Sequence, residues 1–357
     1  MKVDEKKYSS IWVDEHNKVK IIDQTLLPFE FKIIEMKSLS DVLDAITNMR
    51  VRGAPLIGVT AAFGIYLSIL ESNEDENIKK ARNKLISTRP TAINLKWAVD
   101  KMLERILSCP KKSRKDEALS IAKNLHIDDQ KINEAIGVNG AKIIENIYKK
   151  TKKTVNILTH CNAGWLATVD WGTATAPIYK ARDNGIPVHV WVDETRPRNQ
   201  GSSLTSWELN NEKIENTIIV DNAGGYLMTQ KLVDLVITGS DRTTYTGNVC
   251  NKIGTYLKAL AAYDNKIPFY VALPSSTIDW KISDGKEIII EERDENEVHF
   301  INGIGKNNLN EKVRVTPLES KAANYAFDIT PSNYITGLIT EFGLISPNEQ
   351  SIQTIKK

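Results

Sequence analysis

Residues 156–209 constrain the fold more than any other stretch, because two short apolar runs there each end in a group of polar residues. The first run stops at residues 160–162 (His-Cys-Asn), and the second, residues 188–192, stops at residues 193–196 (Asp-Glu-Thr-Arg). A segment of helical character separates them. In open α/β sheets, ligands bind in the crevice beyond the carboxyl ends of the strands. The stretch therefore predicts a strand–turn–helix–strand unit with a thiol, an acid pair, an arginine and Gln200 around one mouth.

The same alternation continues toward the C-terminus. Asp241 stands in the polar turn after one apolar run, and a helix that starts with Asn251 and Lys252 is predicted before the next run. This pattern predicts an α/β fold with a mostly parallel sheet that helices cover on both faces. The apolar runs predicted as strands are residues 218–220, 235–238 and 268–272. A final helix is predicted at residues 334–341, and the acid-rich residues 284–297 are predicted to be exposed.

The first 150 residues predict a smaller domain of strands and helices. Alternating apolar and polar residues predict strands at residues 10–13, 18–22 and 29–34. Helices are predicted from Ser40, from Ala54, at residues 94–106 and at residues 128–147, with a loop at residues 111–117. The length of 357 residues suggests two domains. A basic run at residues 149–153 suggests the boundary, giving domains 1–150 and 151–357.

Two arginines in this first part stand at predicted helix starts. Arg52, Gly53 and Ala54 precede a buried helix of small residues with Pro55 in its first turn. This segment predicts either a close helix–helix contact or an anion site, since free amides at a helix start suit a phosphate. Arg89 precedes the next helix, where an arginine is more often a solvated surface charge than a ligand.

Composition narrows the class of protein. A formal net charge of +2 gives no support to nucleic-acid binding or to a polybasic membrane anchor. Cys109, Cys161 and Cys250 have neither zinc-site spacing nor the density of a disulfide scaffold, which suggests a reduced, cytoplasmic chain. We find no secretory signal and no apolar run that approaches the roughly 20 residues of a membrane helix. We therefore expect a soluble protein without nucleic-acid or membrane partners.

The residues with chemical potential converge on the predicted strand ends. A lone cysteine after a strand is usually a small core hydrophobe, and an aspartate there is often a helix cap. Cys161, Asp241 and the Asn251-Lys252 pair nevertheless gather at one sheet edge in this prediction. The sequence contains no Walker loop, no GxGxxG opening a βαβ unit, no HExxH and no GxSxG. We therefore expect no metal and no nucleotide cofactor.

Seven segments, in order along the chain, resemble the methylthioribose-1-phosphate isomerases. This family is homologous to the regulatory α, β and δ subunits of translation initiation factor 2B. The resemblance runs from about Ile11 to Gly343. The segments are RGAPLIGVTAAFG, RPTAINLKWA, LTHCNAGWLAT, ETRPRNQGSSLTSWEL, GSDRTTYTGNVCNKIGTY, PFYVALPSSTID and AFDITPSNYITGLITEFG.

The resemblance implies a fold, an activity and a set of site residues. The fold is a small N-terminal domain followed by a Rossmann-like C-terminal domain, in a homodimer. The activity is isomerisation of 5-methylthioribose 1-phosphate to 5-methylthioribulose 1-phosphate in methionine salvage, without a metal or organic cofactor. Cys161 and Asp241 match the catalytic cysteine and aspartate of the family. The positions that match its substrate contacts are Arg52, Gly53, Ala54, Arg89, Gln200, Asn251 and Lys252.

Two features leave alternatives open. Cys250 stands where many family members have alanine, and the segment WLATVDWGTATAP, with Trp165 and Trp171, is richer in tryptophan than in many members. A pocket reshaped for another 5-substituent would make the chain a 5-deoxyribose 1-phosphate isomerase. A non-catalytic sugar-phosphate sensor like the initiation-factor subunits is a further alternative, against which the presence of both Cys161 and Asp241 argues.

Overall fold

The computed structural model describes residues 1–90, 92–307 and 309–356. Thr91, in the second of the seven segments, lies outside them. The N-terminal part contains a three-stranded antiparallel sheet, in the order β3-β4-β5, and a group of helices. Its elements are β1 (Lys2–Val3), β2 (Lys6–Lys7), β3 (Ile11–Val13), β4 (Val19–Ile22), β5 (Ile33–Met36), α1 (Leu39–Thr47), α2 (Ala54–Glu71), α3 (Asp75–Thr88), α4 (Ile93–Leu107) and α5 (Arg114–Thr151).

Helix α2 is the centre of this part. Gly53 is its N-cap and Pro55 stands in its first turn, as the sequence predicted. By length and composition α2 could cross a membrane, which corrects the expectation that no apolar run is long enough. In the fold, however, 89% of this stretch is buried. A helix that is apolar all round belongs in the interior, and here the other helices surround it.

Two predictions for this part need correction, and one helix was not predicted. The cap of α1 is Ser38, whose hydroxyl accepts from the Asp41 backbone N–H, and Ser40 lies inside the helix. The predicted loop at residues 111–117 contains the start of α5, which runs unbroken for 38 residues. Helix α3 was not predicted. Its charged residues face solvent and only Ile78, Ala81 and Leu85 are buried, so its apolar periodicity is sparse.

The C-terminal part is built on a seven-stranded sheet. Its elements are β6 (Val155–Thr159), α6 (Ala176–Asp183), β7 (Val188–Asp193), α7 (Ser206–Asn211), β8 (Glu215–Ile219), α8 (Ala223–Thr229), β9 (Leu235–Thr238), β10 (Arg242–Thr244), β11 (Val249–Lys252), α9 (Thr255–Asp264), β12 (Phe269–Ala272), β13 (Ile278–Asp279), α10 (Asn296–His299), β14 (Phe300–Ile304), β15 (Asn310–Arg314), β16 (Phe327–Thr330), β17 (Gly337–Thr340), β18 (Gly343–Ile345) and α11 (Glu349–Gln353).

The strand order of this sheet is β18-β17-β12-β9-β6-β7-β8, with all pairs parallel except β17–β18. Counted from β6, the six parallel strands follow the order 3-2-1-4-5-6, which is that of the Rossmann fold. The prediction of a Rossmann-like, mostly parallel sheet is confirmed. The order reverses between β6 and β9, and a ligand crevice is expected outside that point.

Three predictions for this part are wrong. Residues 334–341 form strand β17 and its approach rather than a helix, because the β-branched Ile and Thr residues there favour a strand buried on both faces. Asn251 and Lys252 close strand β11 and precede α9 instead of starting it. The acid-rich residues 284–297 are only partly exposed, since Gly285 and Ile288 are buried. The domain division at residue 150 coincides with the last turn of α5 and stays a prediction.

Candidate active site

Cys161 and Asp241 lie just past the ends of β6 and β9, the two neighbouring strands between which the sheet order reverses. Both strands are nearly or fully buried, so their positions are fixed by the core of the sheet. The crevice at this point is where a doubly wound sheet binds its ligand. The two predicted catalytic residues therefore belong to one crevice.

Hydrogen bonds hold the Cys161 backbone in a left-handed conformation, with φ of 64°. Its N–H donates to Thr195 Oγ1 at 2.8 Å, and its carbonyl accepts from Thr205 Oγ1 at 2.7 Å. Such a backbone is uncommon for a residue with a side chain and persists only where neighbours over-determine it. The thiol faces Gln200, with Sγ 3.6 Å from Oε1. Gln200 leads into a π-helical turn at Gly201–Thr205, a feature frequent at functional sites.

Burial raises the pKa values of both catalytic candidates. Cys161 is 7% exposed, and burial raises the pKa of its thiol against the opposing charges of Arg52 and Lys252. Burial likewise raises the pKa of Asp241, again against Lys252 and Arg52. Cys161 is thus a thiol at rest, and Asp241 keeps its proton to a higher pH than an exposed carboxyl group.

Two buried cations lie within electrostatic range of this pair. Arg52 and Lys252 are each 8% exposed, and burial lowers the pKa of Lys252. Arg52 Nη1 donates to Asn162 Oδ1, while its Nε has no hydrogen-bond partner among residues 1–90, 92–307 and 309–356. A buried cation with a free donor is suited to an anionic ligand. These side chains can therefore hold a phosphate.

The start of α2 provides further groups that can bind an anion. Gly53 has φ of 96°, and a Cβ there would lie 2.4 Å from the Ala167 carbonyl oxygen, so the position accepts only glycine. The first backbone amides of a helix lack intrahelical partners and favour an anion. Because Gly53 and Ala54 directly follow Arg52 in the chain, the start of α2 and the Arg52 side chain are both candidates for holding a phosphate.

Arg89 and Asn251 have partners within the protein. Arg89 Nε is 3.6 Å from Glu291 Oε2, and burial lowers the pKa of its guanidinium. Asn251 Nδ2 donates to Thr255 Oγ1 at 2.9 Å, at the start of α9. Glu291 comes from the acid-rich segment that the sequence predicted to be exposed. Roles of Arg89 and Asn251 in substrate binding stay predictions.

Six of the nine predicted site residues line two cavities of different character, while Cys161, Asn251 and Lys252 line neither of the two. A cleft of about 480 Å³ is lined by Arg52 and Gln200, together with Arg198, Arg293 and Glu297. A much smaller cavity, of about 30 Å³, is lined among others by Gly53, Ala54, Arg89 and Asp241. The consecutive residues Arg52 and Gly53 form the boundary between the two. The site thus combines a wide polar cleft with a narrow recess beside Asp241.

A buried network next to Cys161 was not identified from the sequence. His160 Nδ1 lies 2.8 Å from Asp193 Oδ2, and its Nε2 lies 2.8 Å from the Ile253 carbonyl oxygen. Lys258 Nζ is 3.2 Å from Asp193 Oδ2 and also donates to the Asp221 carbonyl oxygen. The network joins the ends of β6 and β7 to the turn that follows Lys252. Its polar residues at strand ends were visible in the sequence, but the pairing with Lys258 was not.

Part of the same network has the ligand types of a metal site. His160, Asp193 and Asp221 have ligand atoms within 4.8 Å of one another, which is close enough for a metal ion. The Lys258 ammonium already lies against Asp193, and the Asp221 carboxylate accepts from the backbone N–H groups of Thr195 and Arg196. The carboxylate groups of Asp193 and Asp221 are therefore already engaged in contacts that hold the strand ends together.

Glu208 is a second unpredicted residue behind the site. Its fully buried carboxyl group accepts from Asn162 Nδ2 at 3.0 Å, from the backbone N–H groups of Trp165 and Leu166, and from the Tyr179 hydroxyl group. Asn162 in turn accepts from Arg52, so Glu208 fixes the partner of the phosphate-binding candidate. Burial raises the pKa of Glu208 to about 7. Nothing in the sequence pairs residues 46 positions apart in this way.

Known proteins resemble this chain over nearly its whole length. The initiation factor 2 subunit family matches residues 50–347. A methylthioribose-1-phosphate isomerase of Brucella anthropi is 54% identical, with 99% of each chain covered. One from Escherichia coli is 53% identical over 99% of this chain and 95% of its own.

Two solved structures have a similar fold over nearly the whole chain. The crystal structure of 5-methylthioribose 1-phosphate isomerase from Pyrococcus horikoshii superposes with a TM-score of 0.84 at 35% identity, covering 98% of this chain and 96% of its own. The delta subunit of translation initiation factor eIF-2B from A. fulgidus gives 0.81 at 38% identity, with 98% and 100% covered. The chain belongs to the methylthioribose-1-phosphate isomerases, within the initiation factor 2 subunit family.

Proposed function

We propose that this protein is an aldose–ketose isomerase that converts 5-methylthioribose 1-phosphate to 5-methylthioribulose 1-phosphate in methionine salvage. The observation that supports it best is the meeting of Cys161 and Asp241 at the sheet reversal, within range of Arg52 and Lys252. Relatives of the same name at 53–54% identity over almost the full chain support the same activity.

The substrate sets the chemical problem. Its anomeric oxygen carries phosphate, so the ring cannot open freely to an aldehyde as in ordinary aldoses. Asp241, which burial keeps protonated to a higher pH, acts as the general acid. It donates its proton to the ring oxygen while the C1–O bond to that oxygen breaks. The ring opens and the former ring oxygen becomes a hydroxyl group.

Hydrogen then moves from C2 to C1. The C2 hydroxyl group gives its proton to the Asp241 carboxylate, which restores the acid, and C2 becomes the carbonyl carbon. In one route the hydrogen leaves as a proton to the Cys161 thiolate and passes through an enediol-type intermediate. In the other it moves as a hydride, with Cys161 stabilising the transition state. Because burial raises the pKa of Cys161, the proton route requires the resting thiol to be ionised first. Running the reaction in D₂O separates the routes, since solvent deuterium enters C1 only by the proton route.

The phosphate is held while this happens. Arg52, Lys252 and the amides near Gly53 bind it, and Gln200, Asn251 and Arg89 complete the substrate contacts. Cys161 is buried and Asp241 is half-buried, so the access of bulk water to the reacting atoms is restricted. Fixed charges act more strongly in such a site than in solution.

Two further parts of the proposal concern the whole protein. It works as a homodimer, and the surface suited to the partner lies on α8, α9 and the segment before α8. Exposed apolar side chains gather there: Val220 (61% exposed), Tyr226 (65%), Leu257 (58%) and Tyr263 (62%). Large apolar patches on a surface mark interaction sites. It works in the cytoplasm, in agreement with three free cysteines and the enclosure of α2.

The alternative substrate is 5-deoxyribose 1-phosphate. The test is turnover of both sugar phosphates by the purified protein, compared as kcat/KM. We expect a clear preference for the methylthio sugar. Preference for the deoxy sugar would keep the mechanism and assign the protein to disposal of 5-deoxyribose. Binding of either sugar phosphate without turnover would make it a sensor, like the initiation-factor subunits.

A further inference from the structure

His160, the residue before Cys161, has a buried ring whose two nitrogen atoms both meet fixed partners. The side chains of His160 and Asp193 are fully buried. The ring Nδ1 lies 2.8 Å from Asp193 Oδ2, and Nε2 lies 2.8 Å from the Ile253 carbonyl oxygen. The backbone of Gly254 covers the ring, since a Cβ added there would lie 2.9 Å from His160 Cε1. The hydrogen bonds of the ring are therefore set by the protein on both sides.

Both partners of the ring are acceptors. The carbonyl group of Ile253 has no hydrogen to donate, so Nε2 must carry one. Lys258 Nζ lies 3.2 Å from the same Asp193 oxygen and favours the ionised carboxylate, which also only accepts. The other oxygen, Oδ1, has no hydrogen-bond partner in the part of the chain that the structure describes, so a hydrogen there would have no acceptor. The Nδ1 atom must therefore carry a hydrogen as well.

A ring with hydrogen on both nitrogen atoms is a cation, and a buried cation needs carboxylates nearby. Asp193 is one of them. Asp328 is a second, because its carboxylate accepts from the Gly254 N–H at 2.7 Å and lies within electrostatic range of His160. The charges of His160 and Lys258 thus meet those of two carboxylates, which compensates the charge of the ring.

The ring connects the backbone on either side of the candidate active site. His160 directly precedes Cys161, and Ile253, which its Nε2 contacts, directly follows Lys252. Cys161 and Lys252 lie within electrostatic range of each other. A neutral ring could donate to only one of its two partners, so only the charged ring holds both ends of this connection.

We propose that His160 is an imidazolium ion in the folded protein and positions Cys161 relative to Lys252 for the reaction. It is a positioning residue, because it acts through its neighbours in the chain. The catalytic part of this inference rests on the proposed function, whereas the charge of the ring does not. The charge can therefore be tested without substrate.

The first test is nitrogen NMR on the whole protein with labelled histidine, at pH 8, where an unperturbed imidazole ring is neutral. A neutral ring has one nitrogen without hydrogen, which gives a signal well apart from those of protonated nitrogens. We expect one of the five histidines to show two protonated ring nitrogens. That signal should be absent from His160→Gln and from His160→Asn.

The second test compares the kinetics of these two variants. The amide nitrogen of glutamine can take the place of Nε2 and keep the bond to Ile253, whereas that of asparagine takes the place of Nδ1 and keeps the bond to Asp193. We expect kcat of His160→Asn to lie at least tenfold below that of His160→Gln, since a misplacement of about 1 Å can cost 10²-fold. KM should change less than kcat in both, because the phosphate-binding side chains remain. His189→Gln, at a half-buried histidine of β7, is the matched control and should keep the wild-type kcat.

Each test can overturn the inference. A His160 ring with one nitrogen lacking hydrogen at pH 8 would refute the charge. A kcat of His160→Gln equal to or below that of His160→Asn would refute the positioning role. If thermal unfolding shows that neither variant folds, replacing the four other histidines one at a time assigns the wild-type signal by elimination. Wild-type protein that turns over no sugar phosphate would refute the proposed function and leave the charge of the ring to the spectrum.

Discussion

At the scale of residues, burial acts in the same direction on the two catalytic candidates, but its consequences for them are opposite. A raised pKa suits Asp241, because a general acid must hold its proton near the working pH. A raised pKa is a disadvantage for Cys161 if it acts as a thiolate base, and Arg52 and Lys252 offset only part of it. Bound phosphate would neutralise those cations further. The charge balance of the site therefore favours the hydride route over the proton route.

Removing either group should nearly abolish turnover. Cys161→Ser keeps a small polar side chain but loses the thiol, and Asp241→Asn loses the proton donor. Positioned acid–base groups are typically worth about 10²–10⁴-fold, so we expect kcat to fall by at least 10² in each purified variant. Circular dichroism and thermal unfolding check that the fold is intact. A variant with near-normal kcat removes that residue from the mechanism.

The protonation state of Asp241 predicts one side of the pH profile. The acid works only while protonated, so kcat should fall as pH rises through its raised pKa, above the ordinary carboxyl value of 3.8. Profiles of kcat measured on wild type should show this alkaline fall, and Asp241→Asn should lose it along with most of its activity. An activity that has already fallen by pH 4 to 5 would show that Asp241 is ionised in the working enzyme.

Residue types at strand ends were predictable, but their partners were not. Cys161, Asp241, Arg52 and Gln200 were all singled out from turns that follow or precede apolar runs. Contacts between positions far apart in sequence, such as Glu208 with Asn162, depend on how α7 lies behind β6. Asn251 was predicted to start a helix, whereas it closes strand β11 and donates to Thr255, and its role as a substrate contact stays a prediction.

At the scale of elements, the buried carboxyl group of Asp129 on α5 makes the stability of the fold depend on pH. Asp129 Oδ2 accepts from the Val169 N–H at 2.7 Å, and burial raises its pKa to about 7. The folded protein therefore binds a proton there that the unfolded chain has lost above about pH 4. The resulting stability is fully present below the unfolded pKa and is lost as pH rises through about 7.

Asp129→Asn should remove this dependence, because the amide oxygen still accepts from Val169 and no charge is buried. Between pH 5.5 and 8.5 the wild-type free energy of unfolding should fall by about 2 kcal/mol more than that of the variant. Urea unfolding at both pH values measures the difference. Asp128→Asn, at the exposed neighbouring position, is the control. An unchanged pH dependence in Asp129→Asn would show that Asp129 is ionised throughout.

The elements that the sequence predicted well are those with one dominant signal. Helix α2 has Pro55 after Gly53, and the strands β6, β7, β9 and β12 are compact apolar runs. Residues 334–341 gave conflicting signals, since the segment is long enough for a helix but rich in β-branched residues. It contains strand β17, which pairs with β12. Helix α5 was cut short because its first turns are charged, although that face is simply exposed to solvent.

At the scale of the whole molecule, the apolar surface on α8 and α9 predicts the oligomer. The two helices pack together, since a Cβ added at Gly225 would lie 3.7 Å from Ala261 Cβ, so their exposed side chains belong to neighbouring helices. Tyr226→Asp and Leu257→Asp each place a charge on this surface. We expect each to convert a dimer to a monomer in light scattering coupled to gel filtration. Ile289→Asp, an exposed apolar position elsewhere, should leave the mass unchanged.

Wild-type protein that is already monomeric at micromolar concentration would contradict the homodimer proposal. A dimer that survives both substitutions would place the interface on another surface.

The enclosure of α2 also matters while the chain is being made on the ribosome. The helix is complete at Glu71, but α5, the last of the helices that cover it, ends at Thr151. At about 5–20 residues per second, the newborn chain spends roughly 4–16 seconds with an uncovered helix apolar enough to enter a lipid bilayer. We expect chaperone binding to ribosome-attached chains that end just after α2 and its release once α5 has emerged. Equal chaperone occupancy at both lengths would show that α1 and α3 alone shield the helix.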